Sequence, residues 1–304
     1  MAVGIALAVA AGVYWIAFDP RPSHREEALN LCRSARECFV RGEFLLAEKT
    51  YLRAIALDPA LAAPYDDLGL LYASQGRLGA AVEQFKKALA NRPDAASTHS
   101  NLGLAYARQD SYALAIPAYE QAIRLDPGLA DARYNLGLAY TEERRFEEAL
   151  VQHAEVVRLN PSFARAYYQM GRVHTHRLEY GKARDFYQKA LSLDPRLADA
   201  HYGLGWVEGE KGDVERAIAS YREAIRLNPR HTYALYRLGL VYTATGRREE
   251  AVAALESAVR ADSAYTKAHY SLGQAYLKLG RRAEALRELA RAGKVREARR
   301  KLDE

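Results

Sequence analysis

The sequence predicts an all-α chain: a solenoid of about eight tandem helix-turn-helix units behind an apolar amino-terminal helix. Three observations carry this. A Leu-Gly step recurs every 34 residues, at Leu68-Gly69, Leu102-Gly103, Leu136-Gly137, Leu204-Gly205, Leu238-Gly239 and Leu272-Gly273, with Met170-Gly171 in the remaining slot. A proline closes each of the first six units, from Pro59 to Pro229. Gly or Asp marks the middle of six units: Gly42, Gly76, Asp110, Gly212, Gly246 and Gly280. A fixed period in this range marks a stacked array, which grows by adding units and has no single central core. The prior of about two globular domains for this length therefore does not apply.

Residues 1–18 carry no charged side chain and end at Asp19-Pro20. As a helix they would span about 27 Å, marginally enough for a hydrocarbon core of roughly 30 Å. Tyr14, Trp15 and Phe18 gather at one end, as at a membrane interface. A cleaved signal peptide is the rival, but no Lys or Arg precedes the run and the Ala-x-Ala sites would cut inside it. The expectation is an uncleaved single-pass anchor. Arg21, Arg25, Arg33 and Arg36 then place the repeats on the cytoplasmic side, with a periplasmic or extracytoplasmic side as the alternative. Residues 19–27 form a linker and helix start, where Ser23 and Glu26 make a capping box.

Eight units without an insertion follow: 28–61, 62–95, 96–129, 130–163, 164–197, 198–231, 232–265 and 266–299, with a polar end at 300–304. Each holds two helical patterns. The Asp-Pro and Asn-Pro pairs end the second, because a residue before Pro avoids helical backbone. Seven glycines at one helical position demand a compensating gain, since each costs about 0.5–1 kcal/mol relative to Ala. Close approach of the paired helix supplies it. Pro117, inside the second helix of the third unit, predicts a local bend.

The net charge is +6, of which +4 comes from residues 281–304, so the remainder is too balanced to imply a polyanion partner. Val295 to Leu302 reads as a charged helix capping the stack. Cys32 and Cys38 lie roughly 9 Å apart along one helix, beyond disulfide reach, and read as two buried free thiols.

These units resemble tetratricopeptide repeats. That pattern has Leu-Gly at positions 7 and 8, Tyr at 11, Ala at 20, an aromatic at 24, Ala at 27 and Pro at 32. The unit from Ala96 matches it with Leu102, Gly103, Tyr106, Ala115, Tyr119, Ala122 and Pro127, and eight tandem matches cover 28–299. Ser34-Ala35 in the first unit and Ser263 in the seventh depart from it. The resemblance implies a right-handed superhelix whose first helices line a concave groove through positions 2, 5, 6, 9, 12 and 13. On this chain it places Tyr134, Asn135, Tyr168, Arg172, Tyr202, Trp206, Tyr236, Arg237 and Tyr270 in that groove. Arg165, Lys267 and Lys278 add positive charge late in the array; Asp66, Asp67, Asp131 and Glu142 add negative charge early. Tyrosine is also frequent there for structural reasons. The basic clamp of some members is not recognisable, because Cys32, Asp66 and Ser100 occupy position 5 of the first three units.

The sixth unit stands apart. Gly203, Gly205 and Gly209 share one helix, and Glu208 replaces the usual tyrosine, which marks a flexible or close-approach point. Gly203-x-Gly205 is no nucleotide fingerprint. His174 and His176 project to different faces and do not suit one metal. No catalytic set emerges, so neither enzyme activity, cofactor, metal nor small-molecule substrate is expected. The expected function is a membrane-anchored scaffold that binds a protein or peptide segment in the groove. The alternatives are a non-catalytic subunit of an enzyme or envelope-assembly complex docking by its convex face and, less favoured because the groove charge is mixed, an RNA-binding solenoid.

Overall fold

A computed structural model describes residues 4–9, 12–17 and 23–293; the Val295 to Leu302 cap and the end at 300–304 lie outside them. Among the described residues there are two short strands and sixteen helices. The chain divides into two units, Met1–Glu143 and Arg144–Glu304.

The amino-terminal expectation is corrected. Gly4–Val9 (β1) and Gly12–Ala17 (β2) are antiparallel strands in register from Gly4 opposite Ala17 to Val9 opposite Gly12. The stretch is rich in Val, Ile, Tyr and Trp, which favour extended backbone, while Gly4 and Gly12 weaken a helix. Among the described residues, no helix is long and apolar enough to cross a membrane. The single-pass anchor, and the membrane localisation built on it, are therefore not supported.

In the first unit α1 (His24–Val40) starts at the expected capping box: Glu26 N–H donates to Ser23 Oγ at 3.2 Å, and Ser23 N–H donates to Glu26 Oε2 at 3.1 Å. It pairs with α2 (Phe44–Leu57); α3 (Ala62–Ser74) pairs with α4 (Leu78–Asn91), α5 (Ala96–Ala107) with α6 (Tyr112–Leu125), and α7 (Ala130–Glu142) packs on α6. The first helices also touch in sequence, α1 on α3, α3 on α5 and α5 on α7. Tyr51, Leu68, Leu71 and Phe85 are fully buried in this core. Despite Pro117, α6 runs unbroken from Tyr112 to Leu125.

The second unit holds α8 (Phe146–Leu159), α9 (Ala164–His176), α10 (Tyr180–Leu193), α11 (Ala198–Glu210), α12 (Val214–Leu227), α13 (Thr232–Ala244), α14 (Arg248–Ala261), α15 (Thr266–Lys278) and α16 (Arg282–Arg291). Here α9 touches α11, α11 touches α13, and α13 touches α15. Its core is built around Tyr187, Tyr221, Leu255, Leu272 and Leu289.

The repeated glycine has a physical cause in the structure. A Cβ on Gly69 would sit 2.5 Å from the Phe85 ring, on Gly103 2.8 Å from Tyr119, on Gly171 2.6 Å from Tyr187 and on Gly205 2.9 Å from Tyr221. The side chain at position 24 thus lies flat on the glycine of its own hairpin. Alanines such as Ala47, Ala81, Ala115, Ala183 and Ala217, all fully buried, keep the same seam narrow.

Two turns complete each repeat. Between the helices one residue takes positive φ, as Gly42 (78°) and Gly212 (84°) do, but also Asp110 (54°), Arg144 (59°) and Leu178 (62°). At the end of six repeats the side chain of Asp58, Asp126, Asn160, Asp194, Asn228 or Asp262 accepts the backbone N–H two residues on, at 2.9–3.1 Å. Such Asx turns stop a helix by a local bond. Asp262 keeps its turn where Ser263 replaces proline, which explains how the seventh repeat closes without one.

Candidate functional site

The sequence-derived groove residues fall into both units. Tyr134 and Asn135 lie half-buried on α7 of the first unit. Tyr168 and Arg172 lie on α9, Tyr202 and Trp206 on α11, Tyr236 and Arg237 on α13, and Tyr270 on α15, all half-buried in the second.

The tyrosine ladder is anchored from behind. Tyr168 packs its ring 5.9 Å from Tyr187, and Tyr202 packs 6.1 Å from Tyr221, in each case the position-24 ring of the same hairpin. Burial pushes the phenols of Tyr168, Tyr202 and Tyr221 above the ordinary range and that of Tyr187 up to about 12, so all four are neutral hydroxyls. Tyr187 is held on both faces, by Gly171 and by Gly203 of the next repeat, where an added Cβ would lie 2.6 Å from the ring. Its hydroxyl shares a 2.9 Å hydrogen bond with Thr175. Gly203 is therefore a close-approach site, and what approaches it belongs to the same chain.

Trp206 is the most distinctive member. Two clefts flank it: a small one of about 50 Å³ lined by Tyr168, Arg172, Tyr202 and Gly203, and a larger one of about 180 Å³ lined by Glu210, Arg237, Leu240 and Val241. The Arg237 guanidinium lies 4.5 Å over the indole, a cation–π arrangement. The indole N–H donates to Glu210 Oε1 at 3.2 Å, and Arg237 meets the same oxygen at 3.8 Å, an ion-pair distance too long for a hydrogen bond.

Tyr202 forms the hub, with ring centroids 6.2 Å from Trp206, 5.1 Å from His231 and 6.3 Å from Tyr233. Tyr236 and Tyr270 line neither cleft. Tyr236 instead stacks edge-on against Tyr265 at 5.1 Å and packs on core residues.

Four neighbours escape a reading confined to positions 5, 6 and 9: Glu210, His231, Tyr233 and Tyr265. Tyr233 stands at position 2 and is 57% exposed, so the groove positions themselves contain its signal. His231 and Tyr265 close their repeats, where the turn brings the chain back to the next first helix. His231 Nδ1 accepts the Ala234 N–H at 3.2 Å, capping α13, and its Nε2 lies 3.2 Å from Asp199. That contact holds the Asp199 carboxyl below its usual range.

Early in the array the charge is partly cancelled. Asp67 is ion-paired to Arg36 at 2.7 Å. Cys32 and Cys38 are buried free thiols, and burial raises the Cys32 thiol to about 11, so it is protonated near neutrality. Among the described residues, no group of three or more His, Cys, Asp or Glu is placed to hold a metal ion.

Comparison with known proteins agrees with the fold. Tetratricopeptide repeat models match residues 33–96, 67–130, 101–158 and 202–266, then 162–230, then 246–299. No curated protein matches the chain. Among solved structures, YrrB, described as a TPR protein with an unusual peptide-binding site, is 27% identical over 62% of this chain and 96% of its own, with a TM-score of 0.52. A tetratricopeptide repeat protein from Parabacteroides merdae superimposes with a TM-score of 0.68 at 18% identity, covering 82% of this chain and 98% of its own. PilF of Pseudomonas aeruginosa gives 0.58 at 21% identity, covering 69% and 96%. These last two likenesses are of fold alone.

Proposed function

We propose, for a chain that belongs to the tetratricopeptide repeat family, that it is a non-catalytic scaffold binding an extended protein segment along α9, α11 and α13. Proteins of this family act as protein-interaction scaffolds. The observation that carries the proposal is Trp206, half-exposed between two clefts with a cation on its face. Large amphipathic rings on a preformed surface give contact area at low entropy cost and recur as hot spots. The peptide-binding description of YrrB adds support from a relative at 27% identity. Tyr168, Arg172, Tyr202 and Arg237 are proposed as flanking contacts, while Tyr134, Asn135, Tyr236 and Tyr270 take secondary places. The eight 34-residue units from 28 to 299 are proposed as the modules, motivated by first helices starting at Ala62, Ala96, Ala130, Ala164, Ala198, Thr232 and Thr266.

Trp206→Ala removes the central ring without touching the buried seam and is expected to weaken capture of a partner segment at least about tenfold. Helix content and melting should stay near those of the parent. Tyr202→Ala is a poorer probe, because that ring also packs on Tyr221 and His231. Unchanged capture by the Trp206 variant would remove the groove from consideration.

Docking away from the groove, as the non-catalytic subunit of a larger complex, has one observation in its favour. Val40, Phe44, Leu45 and Leu46 are exposed together around the first hairpin turn. Loss of a partner on Leu45→Glu but not on Trp206→Ala would favour it.

A further inference from the structure

The groove around Trp206 is not electrically neutral. On the face formed by positions 2, 5, 6, 9, 12 and 13 of the last four repeats stand Arg165, Arg172, Arg237, Lys267 and Lys278, against two carboxylates, Asp199 and Glu210. Both carboxylates are engaged within the chain. Asp199 faces His231 at 3.2 Å, and Glu210 accepts the Trp206 indole N–H at 3.2 Å. The arginines are distributed so that one lines each cleft, Arg172 on one side of Trp206 and Arg237 on the other. Burial raises the Tyr202 hydroxyl between them, and the charge of Arg237, a hydrogen bond from it and the charge of Arg172 act against that shift. Arg237 approaches an acid only at 3.8 Å, beyond hydrogen bonding, and spends its planar face on the indole. Its N–H donors suit a planar carboxylate, the partner a guanidinium binds most strongly.

Resting on the proposed groove function, we infer that the segment taken is acidic: its carboxylates meet Arg172 and Arg237 on either side of Tyr202, and an apolar side chain lies against Trp206. A basic segment would face five cations against two acids, each already close to a group of this chain, a juxtaposition that costs affinity. A nucleic acid fits less well, because Asp199 and Glu210 interrupt the basic face where a continuous phosphate backbone would run. Rings 6.2 and 6.3 Å apart, from Trp206 through Tyr202 to Tyr233, also suit an extended chain, whose alternate side chains recur at roughly 6.6 Å.

The test is selection of a random peptide library displayed on phage against the full chain, followed by affinities of the selected peptides for variants. Enrichment of Asp and Glu, with on the order of a tenfold loss on Arg237→Gln or Arg172→Gln and a smaller loss on Arg237→Lys, which keeps the charge without the planar fork, is the expected result. Peptides that depend on Trp206 but carry neutral or basic sequences, or ignore both arginine substitutions, would overturn the acidic preference and leave the groove standing. Failure to select any peptide sensitive to Trp206→Ala would sink the groove itself, and the inference with it. Tighter, arginine-dependent binding of a single-stranded oligouridine than of any selected peptide would replace the acidic segment by RNA. Circular dichroism of each variant separates these outcomes from misfolding, and Lys267→Gln provides a surface probe of the same charge effect.

Discussion

Gly203 and Gly209 share α11, yet their surroundings differ. A Cβ on Gly203 would meet the Tyr187 ring at 2.6 Å, whereas on Gly209 it would meet only the Ala217 Cβ at 3.7 Å. Gly203→Ala should therefore destabilise the protein by about 1–3 kcal/mol through overpacking, while Gly209→Ala should stabilise it by about 0.5–1 kcal/mol through helix propensity. Chemical denaturation measures both, and equal effects would contradict the packing argument. Leu178 offers a second contrast. It holds φ at 62° on a 69% exposed side chain, a conformation that five other repeats give to glycine. Leu178→Gly should raise stability by about 1 kcal/mol, since left-handed backbone strains a side chain and little packing is lost. A lower melting temperature would show that the leucine makes an offsetting contact.

Helices are tied to the preceding repeat by a staple at position 11. Tyr72 donates to Glu48 at 2.8 Å, Tyr140 to Glu120 at 2.6 Å and Tyr276 to Glu256 at 2.7 Å. Arg77, Arg247 and Arg281 cover the Tyr72, Tyr242 and Tyr276 rings at 4.0–4.4 Å. In α11 the staple is replaced: Glu208 is buried and accepts the Ser220 hydroxyl at 2.7 Å within its own hairpin. Its oddity in the sequence is thus an exchange of one bond for another, with burial raising the carboxyl above its ordinary range. The second helix α8 carries its own exception in His153, fully buried where other repeats place a ring such as Phe85 or Tyr187. Burial, with Arg172 nearby, lowers this imidazole from 6.5 to about 4. The fold holds it neutral while the unfolded chain takes up a proton below about 6.5, so its contribution is whole above that pH. It is lost as pH falls toward 4, by an amount on the order of 3 kcal/mol. His153→Phe should flatten this part of the stability–pH curve; an unchanged slope would place the acid sensitivity elsewhere.

Among the described residues of each unit, a helix touches its neighbours in sequence, and first helices also touch the next first helix. Stability in such an array is a sum of repeat and interface terms. Hydrogen-exchange protection should accordingly vary from repeat to repeat along each unit. Uniform protection would mean a single cooperative core. The same locality explains why so much of the fold was legible. The period, the helix starts, the Ser23 cap and the need for glycine at position 8 all depend on residues close in sequence or one hairpin apart. The amino-terminal stretch escaped for the opposite reason. Its apolar run satisfies a helix or a strand by composition alone, and pairing of Gly4–Val9 with Gly12–Ala17 decides between them.

Sequence by itself determined the repeat, the family and the face on which Tyr168, Tyr202 and Trp206 lie, because a fixed period repeats one local geometry. Only tertiary structure decided what those residues do. Two glycines clamp Tyr187, Arg237 settles on the Trp206 ring, His231 captures Asp199, and Tyr236 turns to Tyr265. Each is a contact between different helices or the turns that join them, and its distance is set by how closely the seam glycines let those helices approach.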